Sequence, residues 1–294
     1  MIKALFITTK TIDCINHISA WESVHGKAEI VTFDHNGIRN DWHLLDTAAK
    51  VKPQVIFYIG PNKGTGIPSW ETLRQLRKIA PSVNLCSDAQ DKPWHPILAK
   101  YRSKGCFDLQ VSIDGASGAP VDFATLTPVD TRPFLGPERP RDIRCGFSGS
   151  VGRWNFRSEM VLALEWFGGL TVRRREGEGT YQDHVDFLRR SRMLLNSSFT
   201  GTGHAHHIKG RVLEAGWAGC CLLESEGSPI AEWFPKGCWL SYRTAQEAAA
   251  VIKETDDATI EACAAKLSEA VRFIYRPDLI YGDILSCVGL TQPV

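Results

Sequence analysis

The chain has 294 residues, 43% hydrophobic, 10% aromatic and 23% charged, with Lys and Arg (34) nearly balancing Asp and Glu (33). At roughly 150 residues per domain this suggests two domains with ample core material, and it excludes a disordered, collagen-like or coiled-coil chain. A formal net charge of +1 argues against adhesion to nucleic acid or membranes driven by charge alone.

No apolar run approaches the roughly 20 residues that span a bilayer, and the N-terminal MIKALFITTKTIDC reads as a first strand instead of a signal peptide. Nine cysteines without CxxC spacing suggest reduced thiols in a cytoplasmic protein, with neither a disulfide framework nor a zinc site. Cys220 and Cys221, in GCCLLES, read as small core residues.

In chain order, residues 3–9, 28–33, 54–60, 83–87 and 107–113 are rich in β-branched and aromatic residues and end in turn formers, so they read as strands. Residues 42–50 and 69–80 carry helical spacing, the second with Ser69 as N-cap and Thr72 three positions on. Strand–helix alternation implies a parallel sheet covered on both faces. Residues 121–127 form a last short strand, and four prolines within 128–140 then break regular structure.

A second alternating set follows. Strands are expected at 144–147, 170–174, 191–197, 220–224 and 239–242, and helices at 158–167, 182–191, 209–218, 245–253 and 258–273. The reading is two Rossmann-like, doubly wound α/β domains facing a cleft: residues 1–127, a Pro-rich linker at 128–142, and residues 143–273. A C-terminal segment, 274–294, is free to return to the first domain. Open sheets of this kind bind ligands at the carboxyl ends of their strands.

The densest chemistry lies in NSSFTGTGHAHHIKGRVLE, residues 196–214. A helix opening near Lys209 and Gly210 offers free amides and a partial positive charge, which suit a phosphate. Lys209 and Arg211 oppose the helix dipole in its first turn, which makes sense with an anionic partner. Glu214, a turn further on, is at the distance at which a carboxylate meets the hydroxyls of a ribose whose diphosphate sits at the helix tip. A solvated helix start with a surface Glu–Arg pair accounts for the same spacing.

A second glycine-rich loop, FSGSVGR, contains Gly149, Ser150 and Arg153; it lacks the spacing of a P-loop or a dinucleotide fingerprint. His204, His206 and His207 form an H-x-H-H run with no fourth ligand nearby in sequence, so contact with phosphate or sugar, or a plain surface position, is favoured over metal. For a base able to deprotonate an acceptor hydroxyl, Asp88 ranks first, then Asp91, then Asp13, although residues so placed are more often turn or cap residues than bases. Asp114 reads as a turn former with Gly115. The tryptophans, among them Trp21, Trp42, Trp70 and Trp217, are expected mainly in cores or at the domain interface.

The run TLTPVDTRPFLGPERPRDIRCGFSGSVGR resembles the interdomain passage of glycosyltransferases with two Rossmann domains (GT-B). The run HIKGRVLEAGWAGCCLLESEGSPIAEWF resembles the donor-binding stretch of the group 1-like family that includes the spore-maturation protein CgeB. The likeness spans about residues 125–245; the first domain matches in architecture only. It implies transfer of a sugar from a nucleoside diphosphate to a hydroxyl. Glu214 would hold the ribose; Lys209, Arg211 and the Gly149–Ser150 loop would hold the diphosphate, with Gly227 and Ser228 nearby. No metal or other cofactor is implied, because cationic side chains and a helix N-terminus neutralise the leaving group. Retaining relatives carry a second Glu where this chain has His206. The acceptor is left open between a protein, a glycan, a lipid head group and a modified nucleic-acid base. An epimerase or hydrolase on the same fold, or a non-catalytic nucleotide-sugar-binding protein, are the alternatives.

The balance of charge is uneven along the chain. Residues 139–211 hold 13 basic against 7 acidic side chains, and residues 212–294 hold 6 against 12. Both expected phosphate loops fall in the positive segment.

Overall fold

The computed structural model describes residues 2–9, 12–60, 63–151, 156–174, 179–200, 203 and 205–290, with only the backbone of 12–15. The chain divides into two compact units, residues 1–130 with 277–294, and residues 131–276.

Unit 1 runs β1 (Ala4–Thr8), α1 (Ile12–His25), β2 (Glu29–Thr32), α2 (Asp41–Val51), β3 (Val55–Ile59), α3 (Trp70–Ile79), β4 (Ser82–Cys86), α4 (His95–Ser103), β5 (Leu109–Ser112) and β6 (Phe123–Ala124). All strands are parallel, in the order β2-β1-β3-β4-β5-β6. The runs ALFIT in β1 and VIFYI in β3 are buried at every position, as strands covered by helices on both faces must be. Ser69 caps α3, its hydroxyl accepting from the Thr72 amide at 3.2 Å.

Two unit 1 helices lie where the sequence pattern gives no helix. In α1 the buried residues include Trp21, packed against Phe6 and Phe57, without a continuous apolar stripe. In α4, Pro96 sits in the first turn, where its missing N–H costs nothing. A third helix, α11 (Pro277–Cys287), returns to unit 1 from the far end of the chain. Its Tyr281 hydroxyl donates to the His17 carbonyl at 2.8 Å, and its ring meets Trp21 edge-on.

Unit 2 runs β7 (Ile143–Gly149), α5 (Phe156–Phe167), β8 (Thr171–Arg174), α6 (Tyr181–Arg190), β9 (Ser191–Asn196), α7 (Gly210–Ala218), β10 (Cys221–Ser225), α8 (Ile230–Trp233), β11 (Trp239–Tyr242), α9 (Ala245–Glu254) and α10 (Asp257–Ile274). Its parallel sheet has the order β11-β10-β9-β7-β8. The Pro-rich stretch before β7 is anchored on α6: Arg189 donates to the Gly136 carbonyl at 3.0 Å, and Arg139 pairs with Asp186 at 3.1 Å.

In each sheet the first strand lies between the second and the third, so the chain reverses direction across the sheet there. This topological switch point opens a crevice at the carboxyl ends of the strands. In unit 2 it falls between β7 and β9. Seven of the eight described cysteines, Cys220 and Cys221 included, are buried, and none is in a disulfide. Among the described residues, no helix is long and apolar enough to cross a membrane.

Candidate active site at the switch point of unit 2

β7 and β9 end side by side, and their loops carry the candidate donor site. Gly149 closes β7 with its backbone against Arg211: a Cβ built there would lie 2.7 Å from an Arg211 terminal nitrogen. Arg211, the second residue of α7, stacks its guanidinium over Phe147 of β7, 5.1 Å from the ring centre, and donates to Asn196 Oδ1 at 3.3 Å. Asn196, the fully buried last residue of β9, donates in turn to Glu224 Oε2 at 2.6 Å and accepts the Tyr242 hydroxyl on its carbonyl at 2.7 Å. Glu224 also accepts from the Ser225 amide and hydroxyl at 3.0 and 3.1 Å. Burial pushes the Glu224 carboxyl above the usual carboxylate range, against the pull of these donors.

Glu214 lies one turn into α7, its side chain 13% exposed. Both of its oxygens are engaged from α6: the Tyr181 hydroxyl donates to Oε1 at 3.0 Å, and His184 Nε2 lies 3.2 Å from Oε2. The other His184 nitrogen meets Ser148 Oγ on β7 at 2.8 Å. Burial opposes ionisation of Glu214, but His184, Arg211 and the Tyr181 hydroxyl outweigh it and hold the carboxyl below its ordinary range. An ionised carboxylate is thus fixed beside a guanidinium at a helix N-terminus.

The loop from β9 to α7 folds back on itself, with Phe199 and His206 paired as an antiparallel bridge. The His206 ring packs on Phe199 with centroids 4.0 Å apart, and burial, with His207 beside it, lowers its pKa. Gly227, in the turn after β10, has φ of +85°, and a Cβ there would come within 3.2 Å of the His206 ring. Glycine adopts this backbone conformation without strain and leaves room for the ring. Ser228 Oγ is buried in the same turn with no hydrogen-bond partner among the described residues. The His207 amide donates to the Ser198 carbonyl at 2.8 Å.

A family model described as "Glycosyl transferase-like" matches residues 132–278, half of the chain. The chain belongs to the glycosyl transferase-like family.

Solved structures give the fold of the whole molecule. HepE of Anabaena, in complex with UDP and glucose, is 12% identical and aligns over 98% of this chain and 100% of its own, with a TM-score of 0.67. An α-glucosyltransferase in complex with UDP and a mismatched 13-mer DNA aligns over 98% and 99% at 10% identity and a TM-score of 0.65. Sucrose-phosphate synthase from Thermosynechococcus elongatus aligns over 97% and 98% at 10% identity and a TM-score of 0.60. These likenesses establish the two-domain GT-B fold of this glycosyl transferase-like chain. No curated protein sequence matches it.

Within unit 2 the structure brings Gly149, Arg211 and Glu214 into one network, and sets His206 against Gly227. Lys209 is the N-cap residue of α7 and Gly210 its first residue; Ser150 follows β7 directly. Arg153 and His204 lie outside the described residues. In unit 1, Asp88 occupies the loop after β4 at φ +53°, a conformation that carries a cost in any residue with a side chain. Asp91 is buried, its amide donating to the Asp88 carbonyl at 3.0 Å. Asp13 belongs to helix α1 instead of a loop, and its side chain lies outside the described residues. Asp114, expected as a turn former, is a buried carboxylate that accepts from the Ala89 amide at 3.0 Å and the Ser112 hydroxyl at 2.5 Å.

Sequence reasoning missed Tyr181, His184, Ser148 and Asn196. A signal existed for the first two: Tyr181 and His184 continue the stripe of Val185 and Leu188, the buried residues of α6. Polar aromatics at that spacing face inward.

Proposed function

We propose that this chain transfers a glycosyl group from a nucleoside diphosphate sugar to a hydroxyl acceptor, without a metal ion. The observation that carries the reading is the Glu214 carboxylate, fixed at 3.0 and 3.2 Å by Tyr181 and His184. It stands one turn inside a helix whose N-terminus opens at the switch point. A carboxylate with pre-set lone pairs accepts both ribose hydroxyls, while the first-turn amides of α7, with Lys209 and Arg211, meet the diphosphate. UDP or UDP-glucose accompanies several structural neighbours, so UDP-glucose is the first donor to test. The finer kinship with the group 1-like, CgeB-containing family belongs to the same proposal and rests on Lys209-x-Arg211-x-x-Glu214.

In the proposed reaction the acceptor oxygen forms a bond to the anomeric carbon as the bond to the diphosphate breaks. The acceptor proton passes to a base, for which Asp88 is the first candidate and Asp91 and Asp13 follow. The leaving diphosphate keeps the electron pair and is stabilised by Arg211, Lys209 and the Gly149–Ser150 loop.

Titration calorimetry with UDP and UDP-glucose on the wild type, Glu214→Ala and Glu214→Gln tests the reading. Loss of the ribose acceptor should weaken UDP about tenfold or more. Unchanged nucleotide affinity in both variants would remove the donor-site assignment.

A further inference from the structure

Unit 1 contains a cavity of about 540 Å³ that no part of the donor chemistry uses. It lies at the carboxyl ends of β2 and β3, the side of a doubly wound sheet on which ligands bind. Arg39, Lys63 and Arg74 line it, with Trp70, Glu71 and Tyr101.

Its walls are built. The loops after β2 and β3 are laced together: the Gly66 amide donates to the His35 carbonyl at 2.9 Å, and the Thr65 hydroxyl to the carbonyls of Asn36 and Gly37 at 3.1 Å. Arg39 Nε donates to the Ile67 carbonyl at 2.7 Å. A side chain at Gly64 or Gly66 would run into the backbone oxygens of His35 and Asp34, so the crossing requires glycine at both positions. The crossing fixes where the Arg39 guanidinium emerges.

The charge is one-sided. Glu71 is taken by Arg74 and Gln75, whereas Arg39 and Lys63 have no carboxylate partner among the described residues. Lys63 contacts the Trp94 ring, 5.6 Å from its centre. Two uncompensated cations beside an aromatic wall match an anionic group carried on a ring. The volume falls in the range of small-molecule sites, roughly 300–1,000 Å³, and a chain with net charge +1 lacks the broad positive field a polyanion would need.

We propose that this cavity is the acceptor subsite and takes a saccharide bearing a phosphate or carboxylate group. The acceptor role rests on the glycosyltransferase reading above; the preference for an anionic saccharide rests on the cavity itself.

Calorimetry on the full chain with glucose, glucose 6-phosphate, glucuronic acid and inorganic phosphate, each beside a UDP titration of the same sample, tests it. One or both anionic sugars should bind at least about tenfold more tightly than glucose and than inorganic phosphate, as expected for charge-assisted hydrogen bonds. The stronger of the two identifies the anion. Lys63→Met, which touches no backbone hydrogen bond, should lose that preference, and Arg39→Lys should keep part of it. Equal binding of the four probes, binding of none, inorganic phosphate binding as well as the sugars, or an anionic preference unchanged in Lys63→Met would overturn the assignment. UDP binding that persists in those cases leaves the donor site standing. Anionic sugar binding without UDP binding leaves the cavity as a site and removes its acceptor role.

Discussion

His184 Nε2 stands 3.2 Å from Glu214 Oε2, and the opposite nitrogen of the same ring stands 2.8 Å from Ser148 Oγ. The ring donates from Nε2 to the carboxylate, and the Ser148 hydroxyl holds it from the other side. Helix α6 and strand β7 thereby fix the rotamer of a carboxylate on α7. His184→Ala should lower stability by about 1 to 3 kcal/mol, because it leaves Glu214 Oε2 buried without its donor. Tyr181→Phe should cost less, about 1 to 2 kcal/mol, since the ring still packs. Urea unfolding gives the stabilities, and a double-mutant cycle with UDP affinity as readout should show coupling between the two positions.

The depressed pKa of Glu214 fixes the sign of a pH effect. A carboxyl whose folded value lies below its unfolded value contributes stability above the unfolded pKa, about 4.3, and loses it as pH falls through the folded value. The stability difference between wild type and Glu214→Gln should therefore be constant near neutrality and shrink below about pH 4. A difference that grew on acidification would show that the carboxyl is not held ionised. Glu224, pushed up by burial, acts in the opposite sense: its charge penalises folding at high pH, and protonation relieves the penalty.

Gly149→Ala separates binding from stability. The nearest atom that a new Cβ would meet, 2.7 Å away, is the far end of the flexible Arg211 side chain, with Phe147 Cζ next at 3.3 Å; the guanidinium can shift where the buried ring cannot. Stability should fall by no more than about 1 kcal/mol beyond the backbone cost at this φ, while UDP affinity drops as the guanidinium leaves its stack on Phe147. Thermal melts and a UDP titration check the two halves separately.

Asn196→Ala should be the most damaging substitution in this network. It strips the amide donor from the buried Glu224 carboxylate and the acceptor from Arg211. The expected loss is about 2 to 4 kcal/mol. Asn196→Asp should be worse than Asn196→Ala at neutral pH, because it sets a second carboxylate against Glu224.

Much of this was legible in the sequence, for definite reasons. Parallel strands buried on both faces print as continuous apolar runs, so VIFYI in β3 and SRMLLN in β9 declared themselves. The start of α7 at Lys209 and Gly210 did so too, since a helix start after a glycine-bearing loop has a local pattern. Helix α1 did not, because Trp21 is buried by Phe57 and by a helix more than 250 residues away. Charge was misleading as a marker. The described arginines between 139 and 192 are largely absorbed by structure: Arg144 and Arg192 pair with Asp257 at 2.8 Å, Arg174 with Glu165 at 2.7 Å, and Arg190 with Asp142. Arg141 donates to the Ser191 and Ala218 carbonyls. Among the described residues the positive stretch of sequence is chiefly scaffold, and Arg211 is a cation that it delivers to the network around Glu214.

The return of α11 sets the order in which the molecule can be made. A chain leaving the ribosome from its N-terminus exposes Trp21 and the His17 carbonyl long before Tyr281, 264 residues behind, arrives to cover them. Unit 2 holds its entire sequence in one continuous stretch and can complete its core first, reversing the usual precedence of the N-terminal domain during synthesis. Until that last helix docks, unit 1 waits with an aromatic face open to water.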